Sequence, residues 1–444
     1  MKKLIETLVN IYKIEDLRKR LLYTLGILAI YRLGSFIVLP GVDPMQLAAL
    51  KKQTASGVMG LLDMFSGGAF SNASIFALGI MPYISASIVV QLLGVAVPYF
   101  QKLQKEGESG QKKINQITRY LTVLILLFQA PSYLANLHAQ LPDSAFVLKG
   151  TFFTISSVLI LTAGTIFIMW LGERITDRGI GNGISLIIMI GIVARLPFAL
   201  SAEFAARLNG QGGLMMLLVE LTVLLVVILI TIALVQAVRK IPVQYAKRIV
   251  GNKQYGGVRQ YLPLKVNAAG VMPIIFAQAL MFIPMMFVNF GSGNMSGFAA
   301  AFSDYTGFWY NFVFGLLIIV FTYFYTAIII NPNQIAEDLK KNGGFIPGVK
   351  PGRKTVEFID TVMSRITFPG SIFLAIVSIL PAFAIIAGVN NQFARFYGGT
   401  SLLILVGVIL DTLQQIESHL LMRHYDGLVK SGKIKGRGGY GASI

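Results

Sequence analysis

His138, His419 and His424 are the only imidazoles in the chain, and cysteine is absent. His419 and His424 stand five apart, a poor spacing for one helix face, and no HExxH accompanies them. Without thiols, disulfides and thiolate metal sites are excluded. The run Gly352-Arg-Lys-Thr355 superficially resembles a phosphate loop. It lacks the first glycine at the required offset and follows no strand pattern. No GxSxG nucleophile elbow occurs. These residues offer no metal, nucleotide or acyl-transfer chemistry, so no cofactor is expected and the chain does not read as an enzyme. Any energy for transport must come from a partner or a gradient.

The elements that would position side chains are apolar. Of 444 residues, 55% are hydrophobic and 13% charged, with mean hydropathy +0.69. Soluble domains carry about 25% charged residues. Ten candidate spans follow: 21–39, 74–98, 120–137, 151–171, 184–200, 213–238, 266–290, 308–330, 368–388 and 401–422. The remainder is too short for a large soluble domain. Of the charged groups within the spans, Arg32, Glu220 and Asp411 are expected to face protein. So few midplane carboxylates disfavour a proton-coupled carrier.

Charge alternates along the chain. Alternate connections, beginning with 1–20, carry 31 Lys and Arg, against 5 on the opposite side. The positive-inside rule then places both termini and the basic loops in the cytoplasm, and the 1–20 helix, basic and amphipathic, is retained. Two basic loops, 239–265 and 331–367, exceed what orientation needs and read as docking surfaces for an acidic partner.

A repeat joins the second and seventh spans. Ala77–Ala86 (ALGIMPYISA) and Ala268–Ala277 (AAGVMPIIFA) share six of ten residues. They stand five spans apart in order, so two halves of five would cross in opposite senses. The prolines of both segments are expected to kink their helices. Before the second span, 57–65 reads as a short amphipathic helix through Val58, Leu61, Leu62 and Phe65. Such a helix covers ~13 Å against ~30 Å of hydrocarbon. It either lies on the outer surface or re-enters the bundle.

The motifs SIFALGIMPYISAS, KEGESGQKKINQITRY, LGERITDRGIGNGIS, LPLKVNAAGVMP, NPNQIAEDLKKNGGFIPGVKPG and YGGTSLLI occur in order across the chain. Together they resemble the SecY family of bacterial protein-translocase subunits. The resemblance implies an all-α polytopic membrane protein, with ten transmembrane helices in two inverted five-helix halves around an hourglass pore. Its domains would be an amphipathic N-terminal helix 1–20, a first half 21–200 with a plug at 57–72, a second half 201–422 with the loops 239–265 and 331–367, and a tail 423–444. The implied function is to thread unfolded secretory proteins across the bacterial inner membrane and to release apolar segments sideways between spans 2/3 and 7/8.

The resemblance also assigns residues. A pore ring would comprise Ile80, Ile84, Ile184, Ile188, Met272, Ile275 and Ile404. Aliphatic groups there seal without hydrogen-bonding a passing chain. The plug would use Val58, Leu61, Leu62 and Phe65, with Gly67 and Gly68 in a flexible tether. Ser85, Gln129 and Gln278 would be polar groups of the lateral gate. Lys247, Arg248, Lys350 and Arg353 would contact partners; Lys350 stands where the family usually has arginine, which removes a bidentate fork. Implied partners are small SecE-like and SecG-like subunits, the motor ATPase SecA, the ribosome through rRNA phosphates, unfolded preproteins with signal sequences, and membrane lipid. The rival reading is an inverted-repeat secondary transporter of a small solute, which needs midplane charges and a substrate pocket.

Overall fold

The computed structural model describes residues 14–47, 50, 59–148, 150–209, 213–245, 248–250, 253–255, 259–278, 280–281 and 306–430. Helix α1 (Glu15–Gly34) opens the described chain. It runs through residue 20, so the division expected there between an N-terminal helix and the first span is a continuous helix. It also stops before 39, because Ile37 and Leu39 turn away to bond the 73–75 backbone: Leu39 N–H to Ala73 O at 2.8 Å, and Ile75 N–H to Ile37 O at 2.9 Å.

The short helix α2 (Met59–Phe65) is followed by turns over 66–80, and only then by α3 (Met81–Ala96). The second span was expected from residue 74; its helix begins at Met81. Gly79 (φ +56°) breaks the chain direction, and Pro82 sits in the first turn of α3, where a missing N–H costs nothing. Pro82 therefore starts the helix and does not kink it. The second copy of the repeat does the same: Gly270 has φ +64°, helix begins at 272, and Pro273 follows. The seventh span is described only as far as 281.

The remaining helices are α4 (Pro98–Lys105), α5 (Glu108–Gln140), α6 (Thr151–Arg178), α7 (Gly183–Leu208), α8 (Gly213–Gln236), α9 (Phe308–Ile329), α10 (Pro332–Lys341), α11 (Arg353–Ile386), α12 (Asn391–Ala394) and α13 (Gly399–Lys430). Helix α13 carries on past residue 422, into the stretch expected to be tail. Among the described residues seven helices are long and apolar enough to cross a bilayer, with an eighth if α3 and α4 count as one bent span. Their outward faces stay apolar, as lipid requires: Leu218, Leu225 and Leu229 of α8 and Phe308, Phe312 and Leu316 of α9 are all exposed.

The two basic loops are structured. Strand β1 (Val238–Tyr245) pairs antiparallel with β4 (Arg259–Lys265) and, at Gln244–Phe345 and Tyr245–Gly344, with β5 (Gly344–Phe345). Between β1 and β4, β2 (Arg248–Val250) and β3 (Lys253–Tyr255) form their own pair. Ile241, Val243 and Leu264 alternate inward against Leu339, Ile346, Ile359 and Met363. Arg239, Lys240, Arg259 and Lys265 are left exposed on the same ribbon.

Candidate functional site

One buried cluster joins residues of α1, α2, α6, α7, α12 and α13. It holds Ile80, Ile188 and Ile404, with Ile84, Ile184 and Ile275 packed against it. Six of the seven expected ring residues thus share one cluster, drawn from the turn that ends at Ile80, α3, α7, the helix that begins at 272, and α13. The seventh, Met272, packs in the adjoining cluster beside Ile84 and Ile275. Phe65 and Met64, from α2, are buried in the same central cluster as Ile404. Val58 lies outside the described residues, and Leu61 and Leu62 lie on α2.

The segment after α2 is not the loose tether the glycines suggested. Three of its backbone carbonyls are taken by side chains from two helices. Tyr31 of α1 donates to Ser66 O at 3.2 Å, Arg32 of α1 donates to Gly67 O, and Tyr133 of α5 donates to Phe70 O at 2.9 Å. Turns at this depth are tolerable only because protein supplies these partners. Gly67 crosses α7 where α7 itself has a glycine: a Cβ on Gly67 would stand 2.8 Å from the Gly191 Cα. A Cβ on Gly68 would stand 2.8 Å from the Arg195 guanidinium carbon. Gly67 and Gly68 serve here as contact surfaces, with φ of +65° and +93°.

Two charged side chains in this layer escaped the sequence reading. Arg195 lies in the apolar run of α7, and Asp63 lies on α2; they form an ion pair. Asp63 Oδ1 also accepts the Ser71 N–H at 2.8 Å, and Arg195 Nη2 donates to Ser71 Oγ at 2.8 Å. An arginine inside an apolar run was the available signal.

Glu220, expected to face protein, is buried with two groups that were also missed. Arg207 Nε donates to Glu203 at 2.8 Å and its Nη2 pairs with Glu220; Nη2 also donates to Gly388 O at 2.8 Å. Glu203 accepts the Asn390 N–H at 2.8 Å. Asp411 departs from expectation: it is exposed on α13.

At the seam between α3 and α9, Ile88, Phe276 and Tyr325 are buried together. Ser85 and Gln129 are half-buried and Gln278 is buried, but no hydrogen bond joins the three among the described residues. Apolar packing of Ile84, Ile88 and Phe276 fills the seam at their level. The polar contact across it lies six residues further along α3, where Tyr325 of α9 donates to Gln91 Oε1. Of the partner-binding candidates, Lys350 and Arg353 are exposed, Arg248 lies on β2, and Lys247 lies outside the described residues.

A SecY family model matches residues 74–413. The protein translocase subunit SecY of Streptomyces scabiei is 46% identical over 437 residues, covering 94% of this chain and 98% of that one. Among solved structures, one describes the plug domain of a SecY protein as stabilizing the closed state of the translocation channel and maintaining a membrane seal. It superposes with TM-score 0.61 at 17% identity, over 90% of this chain and 92% of that one. Sec61 in the canine ribosome–channel complex from the endoplasmic reticulum gives 0.57 at 17% identity, over 90% and 92%. At such identities the structures speak to the fold. The family match and the 46% identity carry the conclusion that this chain belongs to the SecY family.

Proposed function

We propose that this multi-pass membrane protein is the protein-conducting channel of a translocase, threading unfolded secretory proteins across the membrane and releasing apolar segments into lipid. The observation that carries the reading is the central aliphatic cluster with Phe65 of α2 seated in it. A carrier of small solutes needs polar, accessible midplane groups; here the expected ring residues are apolar, and Asp63 with Arg195 and Glu220 with Arg207 are paired.

On this reading Ile80, Ile84, Ile184, Ile188, Met272, Ile275 and Ile404 form the ring around the passing chain. Residues 57–72 are the plug, the segment that carries Val58, Leu61, Leu62 and Phe65, and Phe65 shares the buried cluster of the ring. The seam between α3 and α9 is the lateral exit. The first half is 21–200 and the second 201–422. The membrane is the bacterial inner membrane, with both termini and the β1–β4 ribbon in the cytoplasm. Exposed Lys350 and Arg353, with Lys247 and Arg248, meet ribosomal RNA phosphates or the motor SecA; the small SecE-like and SecG-like subunits flank the bundle. The β1–β5 pairing makes one surface of the two basic loops, which supports a common docking face.

The test is reconstitution with the motor ATPase and a secretory precursor. Protease protection of the precursor inside vesicles is expected. Saturable uptake of a small solute without precursor movement overturns the reading. In the same vesicles, Ile84→Ser with Ile188→Ser should raise resting ion leak severalfold, because hydroxyls wet a constriction that aliphatic groups keep dry. Unchanged conductance removes these residues from the ring.

A further inference from the structure

Asp63 is the only charged residue between 59 and 80, and Arg195 is the only one between 185 and 202. Each alone would be an expensive ion in its surroundings; together they neutralise each other. The pair does more than cancel charge. Asp63 sits on α2 and its Oδ1 accepts from Ser71, on the far side of the Gly67–Gly68 bend. Arg195 reaches both ends of that bend, pairing with Asp63 and donating to Ser71 Oγ at 2.8 Å. Because Gly68 has no Cβ, the guanidinium lies against the bend itself.

The surroundings let this pair come apart. A cavity of about 130 Å³ borders it, lined by Gly60, Asp63, Ser71, Arg195, Gln392 and Arg395 among others. Side-chain exposure is 29% for Arg195 and 11% for Asp63. A fully buried pair leaves two stranded charges when broken; one beside a water-sized cavity rehydrates as it separates. By contrast, Met64 and Phe65 on the apolar side of α2 are buried in one hydrophobic cluster with Phe393, Phe396 and Ile404, a contact without direction.

We propose that Asp63 and Arg195 are the latch of the plug: a charge pair that fixes the closed position through both sides of the glycine bend and releases into water when the plug is displaced. The proposal rests on the plug reading above, and its test separates the two. Resting ion conductance is measured in vesicles containing the translocase with wild-type chain, with residues 59–70 deleted, with Asp63→Asn, with Arg195→Gln, and with both substitutions. The deletion sets the leak of an unplugged channel. Each single substitution should raise leak on the order of tenfold, the loss of one hydrogen-bonded charge contact. The double substitution should leak no more than the worse single, since both remove one interaction. Singles at the wild-type level beside a leaking deletion overturn the latch and spare the plug. Leaks that multiply in the double variant overturn the pairing. A deletion that does not leak overturns the plug itself. Should the neutral variants fail to accumulate, Arg195→Lys keeps the charge but removes the planar guanidinium whose Nη2 meets both Asp63 and Ser71. A leak between wild type and the deletion is then expected, and a wild-type leak overturns the latch.

Discussion

Tyr325 and Gln91 show what single residues hide from a sequence reading. Both are ordinary side chains of apolar helices, separated by 234 positions, and nothing local pairs them. The polar residues that stand out by motif position, Ser85, Gln129 and Gln278, do not meet. A hydrogen bond across a membrane seam is worth about 1 kcal/mol. Tyr325→Phe removes this one while keeping the ring that packs on Phe276. It should lower the apolarity a segment needs for lateral release by about 1 kcal/mol of transfer free energy, read from a graded series of segments scored as integrated or translocated. An unchanged threshold excludes the bond from gating. Gly67 and Gly68 teach the same lesson from the other side. As a dipeptide they suggest a hinge; their partners Gly191 and Arg195 on α7 make them a close contact.

At the scale of elements, the apolar runs were legible and their ends were not. The hydrophobic run that includes residues 74–80 is indistinguishable by composition from the helix that follows it. What stops the helix there is Gly79 at positive φ, and what rewards the turns is a set of donors from α1, α5 and α7. Those donors are distant in sequence, so no window could weigh them. The loops 239–265 and 331–367 were read by charge as docking surfaces. Their alternation of Ile241, Val243 and Leu264 builds the ribbon that presents those charges. The end of α7 is the firmest junction: Arg207 ties Glu203, Glu220 of α8 and the Gly388 carbonyl after α11. Arg207→Ala strands two buried carboxylates. It should cost about 3–5 kcal/mol of stability, seen as a lower unfolding midpoint in nanodiscs. A midpoint within error of wild type would mean the network is water-solvated and weak. Glu220→Gln with Arg207→Met should recover part of the loss, since an uncharged replacement needs no counter-ion.

At the scale of the molecule, charge asymmetry is the sequence's argument for orientation, and the repeat is its argument for two halves. The positive-φ glycine just before α3 and before residue 272, with a proline in the first turn that follows each, shows that the repeat is a repeated backbone device as well as a repeated sequence. Whether a bundle of apolar helices is solid or a stoppered conduit is not written in hydropathy, because lipid-facing, core and pore-lining isoleucines look alike. The distinction lies in α2, too short to cross and buried at the centre. The chain has no cysteine, so engineered thiols report on that contact without background. The direct measurement is a Phe65→Cys, Ile404→Cys chain in resting membranes and again with a precursor arrested in transit. A crosslink at rest that is lost on engagement is the expected result. No crosslink at rest, or one that persists while the precursor passes, contradicts a plug that closes this channel.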